Sequence, residues 1–458
     1  MLIALLALTL APALAQESPE DLPEEAIAPP PAPPEAAPET ELEVATGALE
    51  AAVDEAPPAK ANPWDKVGWG WGGVPAVAYN SDDGLGGGIL GSIYRYNGHS
   101  APYKASATLL LYVTTKQVHT HRIDLDLLEV GGKPLRLNTR VEFSATNSAN
   151  FCGVGPDSMC DDAVAVSEAL EAGLVDDPAN DDDSYDQFVR RYYKVRQVEP
   201  NAFFNARYRI KDMPNRVELM GSWWGGYLIP GSFTEHEPFP GSLYANSYPG
   251  GEEGFYSTFQ LGAMLDNRDN EPAPTSGYWI EASVRGAAPF TGSNWTYFGF
   301  NTTARAYASL IPSDRLILAD RFAIDGMFGD PSTNEMARMG GSQIYSAFGG
   351  QRAGRGVRLR GVMGKAKFLN QTELRYTVWS PMVLHKVQVD VTPIAFFDAG
   401  YWAAEWSDIP SGNAGFVYGT GGGLRLAFNK NFILRGDVGL SPREGWATSI
   451  YIDINNLW

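Results

Sequence analysis

From Trp64 onward the chain is built of short segments in which every second side chain is charged or polar and those between are apolar, small or aromatic. "RLNTRVEF" sets Leu137, Thr139, Val141 and Phe143 against Arg136, Asn138, Arg140 and Glu142. "FNARYRIK" sets Phe204, Ala206, Tyr208 and Ile210 against Asn205, Arg207, Arg209 and Lys211. In "QTELRYTV", Gln371, Glu373 and Arg375 oppose Leu374, Tyr376 and Val378; in "FILRGDVGL", Arg435 and Asp437 oppose Leu434, Val438 and Leu440. A period of two puts alternate side chains on opposite faces of a strand. The chain is therefore all-β, with one charged face and one apolar face repeated to its end.

A soluble sandwich and a membrane barrel both accept that pattern, so the start of the chain bears on the choice. "MLIALLALTLAPALAQESPE" carries an apolar run, Leu2–Leu14, too short to cross a bilayer as a helix. It ends in Ala13-Leu14-Ala15, a small-x-small cleavage pattern that predicts a signal peptide over residues 1–15 and a mature start at Gln16. No Lys or Arg precedes the run, a departure from the usual signal. No later run of about 18 apolar residues exists. An exported chain of such strands predicts a transmembrane antiparallel β-barrel of the bacterial outer membrane, with lipid outside and a charged lumen. Charged residues make up 19%, below the roughly one quarter usual for soluble domains.

The segmentation predicts about 16 strands, an even number as such barrels require. Tight connections ("KDMPNR", "APTSG", "IPSDR", "FNKN") read as periplasmic turns; Asn147–Gln187, Ile229–Gly254 and Met327–Gly364 read as external loops. Trp69, Trp71, Trp223, Trp224, Trp279, Trp402 and Trp406 fall near segment ends, as interfacial girdles do. One segment breaks the pattern. In "LILADRFAI", Asp320 lies on the face of Leu316, Leu318 and Phe322, which predicts a bulge or a position at the barrel rim.

Residues 16–62 differ in kind. They carry twelve acids and one lysine, so 11 of the 19 excess negative charges lie there, amid Ala and Pro. Such a segment cannot bury enough to order itself, so residues 16–66 are expected to be a disordered periplasmic linker before a barrel at 67–458. The acidic balance argues against nucleic acid as a partner. Cys152 and Cys160 are the only cysteines, and export permits a disulfide between them. In "DDAVAVSEALEAGL", Asp161 or Asp162 as N-cap and Gly173 as C-cap predict a short surface helix.

Three stretches carry a resemblance. "LGAMLDNRDNEPAPTSGYWIEASV" holds Asp266, Arg268, Asp269, Asn270, Pro274, Thr275 and Gly277; "RGVRLRGVMGKAKFLNQTELRY" holds an Arg-Gly loop motif and an E-x-R strand; "PIAFFDAGYW" with "GTGGGLRLAF" holds an F-x-D-x-G strand and a glycine-rich one. Their order and spacing resemble the BamA/TamA superfamily of outer-membrane proteins, the surface-antigen barrels, over about Pro75–Trp458. The resemblance implies a loop between strands 11 and 12 folded into the lumen. Its matching residues are Arg355, Gly356 and Val357, with Arg360, Gly361 and Val362 as a second register and Glu373 and Asp398 as the acid partners. Valine stands where the family has an aromatic. The last strand, with Ile450, Ile452, Ile454 and Trp458 on one face, resembles the C-terminal signal read by barrel-assembly machinery. That machinery and outer-membrane lipids are the implied partners; the client or transported substrate is unknown. The composition of residues 16–66 does not suit the POTRA domains that family members carry ahead of the barrel.

The implied role is structural, transport or membrane-assembly-related. A porin-like channel and a barrel-borne enzyme acting on outer-membrane lipids are the alternatives. No enzyme, cofactor or metal is expected. Gly86, Gly88 and Gly91 fit G-x-G-x-x-G, but the strand pattern runs through them. No G-x-S-x-G occurs. His119 and His121 share a strand face, two ligands without a third. Asp181, Asp182, Asp183 and Asp186 lack the Gly and Glu of an EF-hand loop, leaving calcium a minor alternative to a solvated loop.

Overall fold

The computed structural model describes residues 67–458 except 101–102, 175–183, 214, 233–234, 272, 343–344, 384–386, 429–431 and 455–458. The predicted signal peptide and linker, Asp181–Asp183 and Trp458 lie outside the described residues. Sixteen strands of six or more residues are described: β1 Val67–Asn80, β2 Gly84–Asn97, β3 Ala105–Thr114, β4 His119–Leu127, β5 Leu135–Asn150, β6 Lys194–Ile210, β7 Arg216–Pro230, β8 Gly254–Asp266, β9 Gly277–Ala287, β10 Thr296–Ser309, β11 Leu316–Asp330, β12 Ala366–Tyr376, β13 Val387–Ala403, β14 Gly415–Phe428, β15 Phe432–Leu440 and β16 Ser449–Ile454. Each pairs antiparallel with its neighbours in sequence, and β1 returns to β16 through Tyr79↔Ile452 and Asn80↔Tyr451. The sheet is a closed barrel.

Exposure settles which face is which. Leu261 is 68% exposed while its neighbour Gln260 is 7% exposed. Ile123, Val141, Phe259 and Phe416 are exposed; Glu281, Asp325, Glu373, Asp398 and Arg435 are buried. A water-soluble sheet does the reverse. An apolar exterior around a charged interior is the pattern of a barrel solvated by lipid.

Strand ends alternate between a turn end, with residues 211–215, 267–276 and 310–315, and a loop end, with residues 151–193, 231–253 and 331–365. At the loop end Cys152 and Cys160 are joined by a disulfide. Helix α1, Asp162–Glu171, follows, with the Asp161 carboxylate accepting from the Ala163 N–H at 2.9 Å and Gly173 at φ +76° beyond its end. Phe151, Val195, Tyr244, Ala337 and Met363 form one buried cluster, so the three long loops pack on one another over that end.

Two expectations are corrected. Of the seven tryptophans, Trp69 and Trp71 lie exposed on β1, but Trp279 and Trp402 are buried in the interior; Arg305 stacks on Trp279 at 4.3 Å and the Trp402 indole N–H donates to Gly155 O at 3.0 Å. Trp224 also faces inward, under the Arg338 guanidinium at 4.3 Å. Position near a strand end does not fix the face; parity does. Asp320 is not at a bulge: β11 pairs without a register shift with β10 and with β12 across it. Nor is it at the rim, since it is the fifth residue of β11.

The native protein should titrate no free thiol without reductant. Cys152→Ser should destabilise the loop end by about 2.5 kcal/mol in the chain-entropy account of a loop this short. The folded barrel should also run faster on unheated than on heated gels; identical migration would contradict closure.

Candidate functional site

The loop joining β11 to β12, residues 331–365, turns back into the barrel. It starts with a one-turn helix, Thr333–Met336, whose Ser332 hydroxyl accepts from the Glu335 N–H at 3.2 Å. It passes a short ribbon, Arg338–Met339 against Tyr345–Ser346, and a helical turn, Gly350–Ala353. Arg355 and Gly356 follow, against the wall at β14 and β15. Gly356 takes φ +92°, and a Cβ there would lie 2.7 Å from the Leu440 backbone, so no other residue fits. The wall matches: a Cβ on Gly419 of β14 would sit 1.8 Å from the Arg355 carbonyl oxygen. The glycine-rich β14 is the slot that lets the loop backbone touch the wall.

Arg355 is fully buried. Its Nε and Nη2 donate to the two Asp398 oxygens, each at 2.9 Å, and its backbone N–H donates to Asp398 Oδ2 at 2.9 Å. Nη1 donates to Glu373 Oε1 at 2.6 Å and lies 3.4 Å from Asp437 Oδ2. The guanidinium also stacks on Phe396 at 3.5 Å. The acids have further cations: Arg375 and Arg425 reach Glu373, Arg425 reaches Asp437 at 2.6 Å, and Arg435 reaches Asp453 at 3.0 Å. Four buried arginines therefore face four carboxylates (Glu373, Asp398, Asp437 and Asp453), with the exposed Arg352 3.7 Å from Asp453 as well. A buried charge without a partner is costly, and this balance removes that cost.

The neighbouring residues divide the two registers. Arg360, at φ +58°, donates to Asn334 Oδ1 at 3.1 Å and is the partner of neither Glu373 nor Asp398; Gly361 donates its N–H to Arg358 O. Arg358 pairs instead with Glu444 at 2.7 Å near the loop end. Val357 is buried with Phe348, Val362, Leu369 and Trp402, and Phe348 packs on Gly354 and Gly400. The aromatic beside the Arg-Gly pair thus comes from the loop eight residues earlier.

Three more wall acids hold the loop, none of which the sequence singles out. Glu199 of β6 takes both contacts of Arg338 at 2.8 Å. Asp325 of β11 takes Arg285 at 2.8 and 2.9 Å, Lys367 at 3.1 Å and the Gly340 N–H at 2.8 Å. Glu281 of β9 takes the Ser342 N–H at 2.5 Å. The only signal was lumen-facing parity, which dozens of residues share. Beside this loop lies a cavity of about 1020 Å³ that reaches from Asp82 and Val118 at the loop end to Asp266 and Arg268 at the turn end, past Arg136 and Arg207.

The remaining sequence-predicted residues serve local structure. Asp266 pairs with Arg268 at 2.9 Å. The Asp269 carboxylate accepts from the Thr275 and Ser276 N–H groups at 2.9 and 3.1 Å; burial opposes its ionisation, but these bonds hold its carboxyl below the usual range. The turn gains from this contact above that range and loses it as pH falls through it. Asn270 Oδ1 accepts from the Ala273 N–H, and Gly277 takes φ +100°. Ile450 and Ile452 face outward from β16, and Ile454 shares their register. His119 and His121 lie on the outward face with ring centroids 5.8 Å apart. Among the described residues no group of three His, Cys, Asp or Glu could hold a metal.

Arg355→Ala leaves three carboxylates facing a lost cation, and should lower the unfolding free energy by about 3–5 kcal/mol in detergent or block assembly. Adding Glu373→Gln should cost less than the sum of the single changes, because the two groups are coupled. Arg358→Ala removes a partly exposed pair and should stay within about 1 kcal/mol of the parent. Equal effects at 355 and 358 would show that the seated ion network does not stabilise the barrel.

The barrel and its seated loop can be set beside known proteins. BamA from Haemophilus ducreyi, in a structure lacking POTRA domains 1-3, has a TM-score of 0.50 and 14% identity over 85% of this chain and 70% of that one. CdiB from Escherichia coli has a TM-score of 0.54 and 10% identity over 84% of this chain and 62% of that one, so this chain spans less than two thirds of its length. At these identities the likeness is one of fold. No curated protein matches the sequence significantly. The Omp85 superfamily domain matches residues 191–442, from the start of β6 to just past β15. The chain belongs to the Omp85 superfamily and is an outer-membrane β-barrel of that family.

Proposed function

We propose that this barrel has a membrane-assembly or export role exercised at the β1–β16 seam, and that it is not an open pore. One observation carries the reading. Among the described residues the seam has two paired positions, whereas β1 and β2 share fourteen and β15 and β16 share six. Along β1, Val67, Trp69, Trp71 and Val77 stay exposed, and the backbone from Val67 to Ala78 has no described partner on the β16 side. An unpaired strand edge is a template for another strand. An incoming segment with alternating apolar and polar residues could add there while its apolar face stays in lipid. The loop supports the second half of the proposal: with Arg355, Arg338 and Gly340 bound to the wall, it fills part of the lumen.

The test is a lock across the seam. Tyr79→Cys with Ile452→Cys places two thiols at paired positions. In liposomes the parent should accelerate insertion of an unfolded barrel protein; the oxidised double variant should not, and reductant should restore it. Insertion unaffected by the lock would overturn the seam reading. In planar bilayers the parent should show no steady open channel. A stable, large conductance would favour a porin-like channel instead.

A further inference from the structure

The outward face of the barrel carries one charged side chain away from strand ends among the described residues, and it is Asp320. The other outward-parity charges, Arg95, Lys194, Arg196 and Asp330, each lie within the three terminal residues of a strand. Asp320 stands between Leu318 and Phe322, which are 37% and 42% exposed. It is four residues from Leu316, where β11 leaves the turn end and pairs with the exposed Tyr376. At about 3.3 Å per residue and a strand tilt near 40°, its carboxylate sits roughly 10 Å above that end. An ionisable group at such a depth is costly and marks a functional site by default.

Its surroundings are made for it. The Thr372 hydroxyl donates to Asp320 Oδ1 at 2.7 Å, and the Asn370 amide donates to Oδ1 at 3.1 Å and Oδ2 at 3.3 Å. Both residues face outward from β12, the only strand neighbour on that side. On the other side Ala306 of β10 is the paired residue, with Ala304 and Ala308 above and below on the same face. The carboxylate therefore lies beside a shallow notch floored by alanines and walled by Leu318 and Phe322. Oδ1 is occupied; Oδ2 has one long contact. Among the described residues no Lys or Arg forms an ion pair with Asp320, and two neutral donors do not neutralise a carboxylate.

We propose that Asp320, Thr372, Asn370 and the Ala304–Ala306–Ala308 row form a binding site for the primary ammonium headgroup of a phospholipid in the leaflet at the turn end. The ammonium supplies the missing positive charge and three N–H donors, enough to reach Oδ2 and the Thr372 oxygen. The notch takes the glycerol region and the start of an acyl chain. A quaternary ammonium has no N–H to offer, and a glycerol headgroup has no cation. A second copy of this chain is a poorer occupant: among the described residues the outward-parity cation on the turn-end side is Arg95, two residues from the end of β2, and it stacks on Trp69 at 5.0 Å. The proposal stands apart from the seam reading, since β11 and β12 are distant in strand order from β1 and β16.

The test uses the full-length protein, purified in detergent and exchanged against phosphatidylethanolamine, phosphatidylcholine or phosphatidylglycerol of identical acyl chains, with bound lipid counted by native mass spectrometry. The parent should retain the ethanolamine lipid over each of the others by about fivefold, equivalent to about 1 kcal/mol. Asp320→Asn should bring that ratio close to one while heat-modifiable migration persists. Ala306→Phe, which fills the notch and leaves the carboxylate, should lower retention too, and reads the site even if the Asp320 variant fails to fold. Asp330→Asn, at the strand end, should leave the preference intact. No headgroup preference in the parent, or one that survives Asp320→Asn, overturns the proposal. So does a parent dimer that Asp320→Asn dissociates without any headgroup preference, which would assign the patch to a second copy.

Discussion

A barrel that turns its charges inward must neutralise them within a few ångströms, and the rest of this structure follows from that. The interior around Arg355 has four guanidinium groups and four carboxylates in contact. Glu373, Asp437 and Asp453 have arginines of the wall beside them, but Asp398 is held by Arg355 alone, and the loop brings it. The loop is therefore part of the core, although it begins and ends at the surface. Its seating in turn dictates the glycines of β14 and β15, which leave room for its backbone, and the short buried stretch of apolar residues around Phe348 and Val357 that caps the ionic layer.

The same principle applied to the outside gives the opposite composition. Hydrocarbon neutralises nothing, so outward positions are mostly apolar from β1 to β16 and nearly all charges retreat to the strand ends. Asp320 departs from that rule within a regular ladder, and its two polar neighbours on β12 show that the departure is accommodated by sequence on a second strand. At the seam the constraint is different again: two paired positions leave most of the β1 edge without a described protein partner, in a fold whose other strands are paired along most of their length.

Much of this was legible in the sequence because a period of two is read without knowing the fold. The faces of Arg136–Phe143, Phe204–Lys211 and Gln371–Val378 were set by alternation alone, and the strand number followed from the segments between turn residues. The Arg355 partners came from a motif whose spacing to Glu373 and Asp398 carries over. The tryptophans show the limit. Trp279 and Trp402 sit near strand ends like girdle residues, yet their parity turns them inward, where an Arg and a carbonyl are waiting for them. Asp320 was visible as an exception, but its place in an unbroken ladder was not, since a bulge and an outward carboxylate in a regular strand look alike in one strand.

The sequence by itself determined that this is a sheet with a charged side and an apolar side, because alternation acts between neighbours two residues apart. Outside the Arg355 motif, tertiary structure alone decided which groups those charges meet. Arg338 finds Glu199 across 139 positions once the loop folds in, and Arg285 finds Asp325 across 40 once β9, β10 and β11 pair. Pairing at such separations leaves no local trace, because each partner is chosen by the shape of the closed barrel and not by its neighbours along the chain.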